Sequence, residues 1–154
     1  MNNKSKEEAL DFLMSQKGGV ISTVSNNQPH SAYVFYDADE DFSVYFGTVI
    51  ESNKHSNIQE NNKVAFVVQT VNPPKTIQIR GEAFEVKDTE VLKNALANYV
   101  DIAKDQIKNS APVTKIDAHG NLILYKIKPN WIKWSDFSGS GEGLVGTILL
   151  GDSR

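Results

Sequence analysis

The 154-residue chain contains no cysteine. Disulfides, thiolate metal centres and cysteine nucleophiles are excluded together, and a reducing cytoplasm is the compartment this composition suits. Charge of one sign is also lacking: sixteen basic residues stand against nineteen acidic ones, a formal net charge of −3. The basic footprint demanded by nucleic acid or an anionic membrane surface is therefore missing. An anionic ligand has to be held by a local cluster of donors, because the overall field does not attract it. No apolar run approaches the roughly 18 residues of a membrane span. The opening MNNKSKEEALDF carries acidic residues where a signal peptide needs an apolar run. What remains is an ordinary soluble balance, 40% hydrophobic and 23% charged, in a length that suits one domain with its own core.

Ser5-Lys6-Glu7-Glu8 has the spacing of a capping box, with Ser5 as N-cap. Ala9, Leu10, Leu13 and Met14 then share one helical face, and Gly18-Gly19 stops the helix. Two β-rich runs follow, Val20 to Val24 and His30 to Tyr36, joined by a turn at Asn26-Asn27. A polar turn from Asp37 to Asp41 leads into a third run, Phe42 to Phe46. Connections this short require an antiparallel meander, since parallel strands need long crossovers.

Ser52 to Asn61 reads as a short helix capped by Ser52, and Lys63 to Gln69 as a strand apolar enough for burial on both faces. Asn72-Pro73-Pro74 is a turn. Thr76 to Val86 is a strand with a bulge or close approach at Gly81. Asp88 can cap a helix carrying Val91, Leu92, Ala95, Leu96, Tyr99 and Ala103 at helical spacing. Asn121 to Trp134 is a last long strand, interrupted near Pro129-Asn130. About six strands with helices beside them predict a small β-barrel with helical decoration.

Most constellations of reactive residues dissolve on inspection. His30, His55 and His119 lack metal-ligand spacing. Asp37, Asp39 and Asp41 sit in turn sequence. The G-x-G-x-x-G match from Gly141 to Gly146 has only eight residues after it, too few for the helix and strand of a dinucleotide fold. The informative stretch is Val44 to Lys54, VYFGTVIESNK, which ends a strand and delivers Ser52, Asn53 and Lys54 to a helix start. Hydroxyls, backbone amides and one ammonium at such a place suit a phosphate as well as a simple helix cap.

Gln28-Pro29 leading into a strand, YFGT-x3-S-x-K-x3-I, NNKVAFVV and TIQIRGEAFEV follow one another over residues 8 to 136. In that order they resemble the pyridoxamine 5′-phosphate oxidase family. The resemblance implies a mainly β fold with α, a six-stranded antiparallel split β-barrel with peripheral helices. It implies a homodimer with an FMN in each of two clefts between subunits. Thr48 and Lys54 are then expected at the flavin phosphate with Ser52 and Asn53 beside them, and the strand at Tyr33 and Val34 along the isoalloxazine ring. Thr76 matches a position from which family members reach the cofactor. Trp131 and Trp134, three apart on a strand, face opposite sides; one enters the core, and Trp134 is taken as the candidate for the partner's flavin.

The chain departs from the enzymes that act on vitamin B6. It has two arginines, Arg80 and Arg154, and no Arg-x-His, so the bidentate forks for a B6 phosphate are missing. The expectation is an FMN-binding oxidoreductase acting on an unidentified small molecule. The alternatives are a flavin-binding sensor without turnover, or a barrel holding haem or a deazaflavin. Residues 1–137 form the barrel domain in this reading, and residues 138–154 a glycine-rich extension. Within it Leu144 to Leu150 is apolar enough to dock on the barrel or the partner, linked by Ser138 to Gly143.

Overall fold

The computed structural model describes residues 3–88, 90–91, 94, 97–98, 101, 122–139 and 144–149. Helix α1 (Asn3–Ser15) precedes β1 (Gly18–Ser25), β2 (Gln28–Phe35), the two-residue β3 (Asp37–Ala38) and β4 (Val44–Val49). Helix α2 (Asn53–Glu60) then leads to β5 (Lys63–Val71), β6 (Pro74–Glu85), β7 (Leu122–Asp136) and β8 (Leu144–Leu149). All the pairings are antiparallel. They run β2-β1-β5-β6-β7-β4-β3, with β8 alongside the last third of β7. The sheet curls around one core, as expected of a split barrel, with eight strands among the described residues where six were expected. The short β3 and the late β8 make the difference.

Asn26 and Asn27 close the first hairpin with φ of 48° and 60°. This is the paired left-handed conformation of a type I′ turn, which matches the strand twist and which asparagine tolerates. Every second residue of β1, β5 and β6 turns inward, and Ile21, Val64, Phe66, Val68, Ile77 and Ile79 are buried there. The outward residues of β5 are only half-covered, so that strand is buried on one face rather than both.

Helix α1 closes one end of the barrel with Ala9, Phe12 and Leu13. Phe12 meets Trp134 at 5.0 Å between ring centroids. Tyr36 donates its hydroxyl to the Leu13 carbonyl at 2.6 Å. The inward stripe therefore includes Phe12, while Met14 is 40% exposed. The helix also begins two residues before Ser5 and ends before Gly18-Gly19, which open β1 instead.

Strand β7 runs unbroken past Pro129 because its partner yields there. Arg80 pairs with Trp131 and Gly81 with Pro129, which leaves Asn130 as the extra residue of a bulge. A methyl group at Gly81 would lie 2.2 Å from the Lys128 carbonyl oxygen, so only glycine allows this approach. The bulge also reverses the strand's alternation: Tyr125 and Ile127 point inward before it, Ile132 and Trp134 after it. Asp88 does cap a helical turn, its carboxylate accepting from the N–H groups of Glu90 and Val91 at 3.0 Å. Leu92, Ala95, Leu96, Tyr99 and Ala103 lie outside the described residues.

Candidate functional site

Strand β4 ends at the barrel mouth opposite α1, and the chain reverses at once into α2. The Ser52 N–H bonds the Val49 carbonyl at 3.0 Å. Ser52 is the N-cap of α2, its Oγ accepting from the His55 N–H at 3.1 Å. Thr48, only 5% exposed, meets the same Oγ with its own hydroxyl at 2.7 Å. Because Ser52 Oγ already accepts one proton, the two hydroxyls hold two protons for one mutual bond. Whichever donates, one proton is left to offer. The N–H groups of Asn53 and Lys54, in the first turn, have no intrahelical acceptor either.

Lys54 stands at this corner half-buried, with no acidic partner among the described residues. Burial alone pulls its ammonium below the usual lysine range. A bound anion would reverse that pull. Thr48 and Ser52 are thus bonded to each other at the start of the helix that carries Asn53 and Lys54 in its first turn.

Behind the cap lies a group that sequence reasoning missed. Tyr125 of β7 receives Gln59 Nε2 at 2.9 Å and faces His55 Nδ1 at 2.8 Å. Its ring stacks on Phe46 of β4 at 5.6 Å. Burial raises the phenol above its ordinary range, so it remains a neutral hydroxyl near pH 7. His55 and Tyr125 are seventy residues apart, and no local pattern pairs them.

The far side of α2 is tied to β1. Asn57 donates to Thr23 Oγ1 at 2.9 Å, and Glu60 accepts from Ser25 Oγ and the Asn26 N–H.

Strand β2 is an edge of the sheet. In a hairpin closed by two residues, the pair flanking the turn exchanges hydrogen bonds and every second pair does likewise. With Ser25 opposite Gln28, the pairs Ser22–Ser31 and Val20–Tyr33 are the unbonded ones. Ser31 and Tyr33 therefore aim their N–H and C=O groups off the free edge. Pro29, which has no N–H to offer, occupies an equivalent outward position. The Tyr33 side chain is 66% exposed on the outer face, whereas Val34 is buried in the core.

Thr76 and Trp134 lie away from the α2 corner. Thr48 pairs with Ile123, near the start of β7, and Thr76 with Ser135, near its end. These β7 positions are about 40 Å apart along the strand. Trp134 is 1% exposed and sits in the core against Phe12. Trp131 is the tryptophan on the outer face, with the Arg80 guanidinium 4.5 Å above its ring. The bulge at Asn130 decides which of the two turns inward.

The profile of the pyridoxamine 5′-phosphate oxidase family matches residues 5–133, a span that includes both the α2 corner and the β2 edge. The chain belongs to that family. Several solved structures share its fold. General Stress Protein 26 from Bacillus anthracis str. Sterne is 26% identical, the likeness covering 90% of this chain and 96% of that one at a TM-score of 0.61. A FAD-binding protein from Mesorhizobium loti is 14% identical, covering 86% of this chain and 92% of its own at 0.64. A heme-binding protein from Mycobacterium smegmatis is also 14% identical, covering 96% of this chain but 59% of its own at 0.72. No curated protein matches. The chain itself carries no Arg-x-His. No helix among the described residues is long and apolar enough to cross a membrane.

Proposed function

We propose that the protein is a cytoplasmic FMN-binding flavoprotein, a homodimer that uses the flavin in oxidoreduction of a small molecule. The observation that carries this reading is the unspent donor set at the α2 corner. One hydroxyl proton of the Thr48–Ser52 pair, the N–H groups of Asn53 and Lys54, and the unpaired Lys54 ammonium suit the three terminal oxygens of a phosphomonoester. The outward N–H and C=O groups of Tyr33, with Val34 next in the strand, suit the hydrogen-bonding edge of a flat heterocycle. Family membership and the FAD-binding neighbour support a flavin.

Thr76, at the other end of β7, is assigned to the partner's cofactor. Trp134, enclosed in the core, acts on that cleft through the strand that carries it. Val20, Tyr33 and Phe84 are exposed apolar side chains on strands of this barrel, and a second copy would cover part of that surface. When bound, the flavin supplies the electron transfer; the chain's own residues grip the phosphate, orient the ring and exclude water. No acid–base pair is required of the protein, which agrees with the absence of one in the sequence.

The absorption spectrum of freshly purified protein tests the cofactor: flavin bands are expected at about 370 and 450 nm, against a Soret band for haem. Turnover with reduced nicotinamide separates an enzyme from a sensor. FMN should bind much more tightly than riboflavin, which has no phosphate. Lys54→Ala should weaken FMN roughly ten- to a hundredfold, the loss of a charged hydrogen bond, and leave riboflavin almost unchanged. Lys63→Ala, at the start of β5, is the control. Equal losses in the two variants, or no preference for FMN in the parent, would remove the reading.

A further inference from the structure

Helix α2 is pinned from two sides. Asn57 and Glu60, in its second half, hold β1. On the opposite side, His55 of the first turn and Gln59 of the next meet a single atom, the phenol oxygen of Tyr125. The described hydrogen bonds include no other side-chain tie between the first turn of α2 and the strand β7. The same His55 supplies the backbone N–H that fixes Ser52 Oγ.

The protons can be followed around this chain. Gln59 Nε2 has only hydrogens to give, so the Tyr125 oxygen accepts from it. The assignment that spends the phenol hydrogen inside this chain gives it to His55 Nδ1, with the imidazole's own proton on Nε2. This arrangement uses each donor once, and it holds His55, and with it the first turn, in one orientation. Behind the phenol, the ring is wedged against Phe46, two residues before Thr48 on β4. The oxygen therefore sits on a rigid mount shared with the strand that presents Thr48.

Resting on the FMN reading above, we infer that Tyr125 is a positioning residue for the phosphate end of the site. Through His55 and Gln59 it sets the first turn of α2 against β4, so that Thr48, Ser52 and Lys54 converge on one anion. Without its oxygen the helix keeps its ties to β1 and the Thr48–Ser52 bond at its cap, but the His55 and Gln59 side chains lose their anchor on β7, and the first turn is held less firmly against Thr48.

The test is Tyr125→Phe, which keeps the ring stacked on Phe46 and removes the oxygen alone, measured in the full-length protein. FMN should bind about three- to tenfold more weakly, the equivalent of one lost neutral hydrogen bond, while riboflavin affinity stays level. Nitrogen-15 NMR of the His55 ring should show the Nε2–H tautomer in the parent and a mixture of tautomers in the variant. Gln59→Ala, at an exposed position, should shift FMN in the same direction by a smaller factor, and it carries the same test should Tyr125→Phe fold poorly. A parent that prefers FMN, together with variants that keep the full FMN-over-riboflavin ratio, overturns the positioning role and leaves the FMN reading standing. Equal weakening of both ligands overturns it as well. A parent indifferent to the phosphate overturns both.

Discussion

Tyr33 lies across the bare backbone of Gly18. A methyl group on that glycine would meet the phenol oxygen at 1.7 Å and the ring carbon beside it at 2.4 Å. The neighbour is the tip of an exposed side chain, so Gly18→Ala should displace the ring and cost the fold little, within about 1 kcal/mol. Tyr33 would also leave its edge-on contact with Phe35, 5.8 Å between centroids. Altered Tyr33 ring resonances with a nearly unchanged denaturation midpoint are the expected result, and a large loss of stability would show that the ring is anchored.

Gly81→Ala should behave in the opposite way. The obstacle there is the Lys128 carbonyl at 2.2 Å, held in place by the pairing of Lys128 with Glu82 and of Pro129 with Gly81. The expected destabilisation is about 1–3 kcal/mol. It is read as a lower denaturant midpoint at constant slope.

Phe12 is the main aromatic tie between α1 and the barrel, and Trp134 is its partner. Phe12→Ala should cost about 3–5 kcal/mol through lost burial and the cavity left behind. For a chain of this size that is on the order of 10 °C in melting temperature. Met14→Ala, on the exposed side of the same helix, should shift melting only slightly.

Acid stability should depend on Asp39. Burial pushes its carboxyl up, but the Ser43 N–H, the Tyr45 hydroxyl and the Lys126 ammonium outweigh that effect and hold it below the ordinary range. A carboxylate depressed by folding contributes stability above the unfolded value of about 4, and loses it as pH falls through the lower folded value. Its Oδ1 also accepts from the Asp41 and Ser43 N–H groups at 3.0 Å. Those bonds close the turn that holds Phe42 at a φ of 60°. Asp39→Asn should therefore lower stability at neutral pH and flatten its decline toward acid, as followed by urea denaturation between pH 3 and 7 (a window set by the ordinary carboxylate range of about 4). A decline as steep as the parent's would assign acid sensitivity to other carboxylates.

Much of this fold was legible in short words of sequence, because local chemistry decides those places. Asn26-Asn27 tolerates two left-handed residues, Gly81 admits a crossing backbone, and Ser52 accepts from the helix it opens. The family resemblance, rather than periodicity, brought Thr48 and Lys54 into view, and the structure does set them at one corner. Other features depended on parts of the chain that no local pattern joins. Alternation read from Tyr125 and Ile127 would send Trp131 inward; the extra residue at Asn130 reverses it. Phe12 is inward because Trp134 waits for it across the core. Tyr125 could not be joined to His55 before the barrel was closed.

Thr48 on β4 and Thr76 on β6 pair with opposite ends of β7, and the length of that strand has a genetic consequence. On the proposed dimer, a ligand touched by both must borrow one from each chain, so neither subunit owns a pocket. A subunit damaged at Lys54 and another damaged at Thr76 would assemble with both injuries in one pocket and none in the other. Two inactive copies produced together should thus recover activity that neither has alone, and a damaged copy beside a normal one should silence one pocket of the pair and spare its twin.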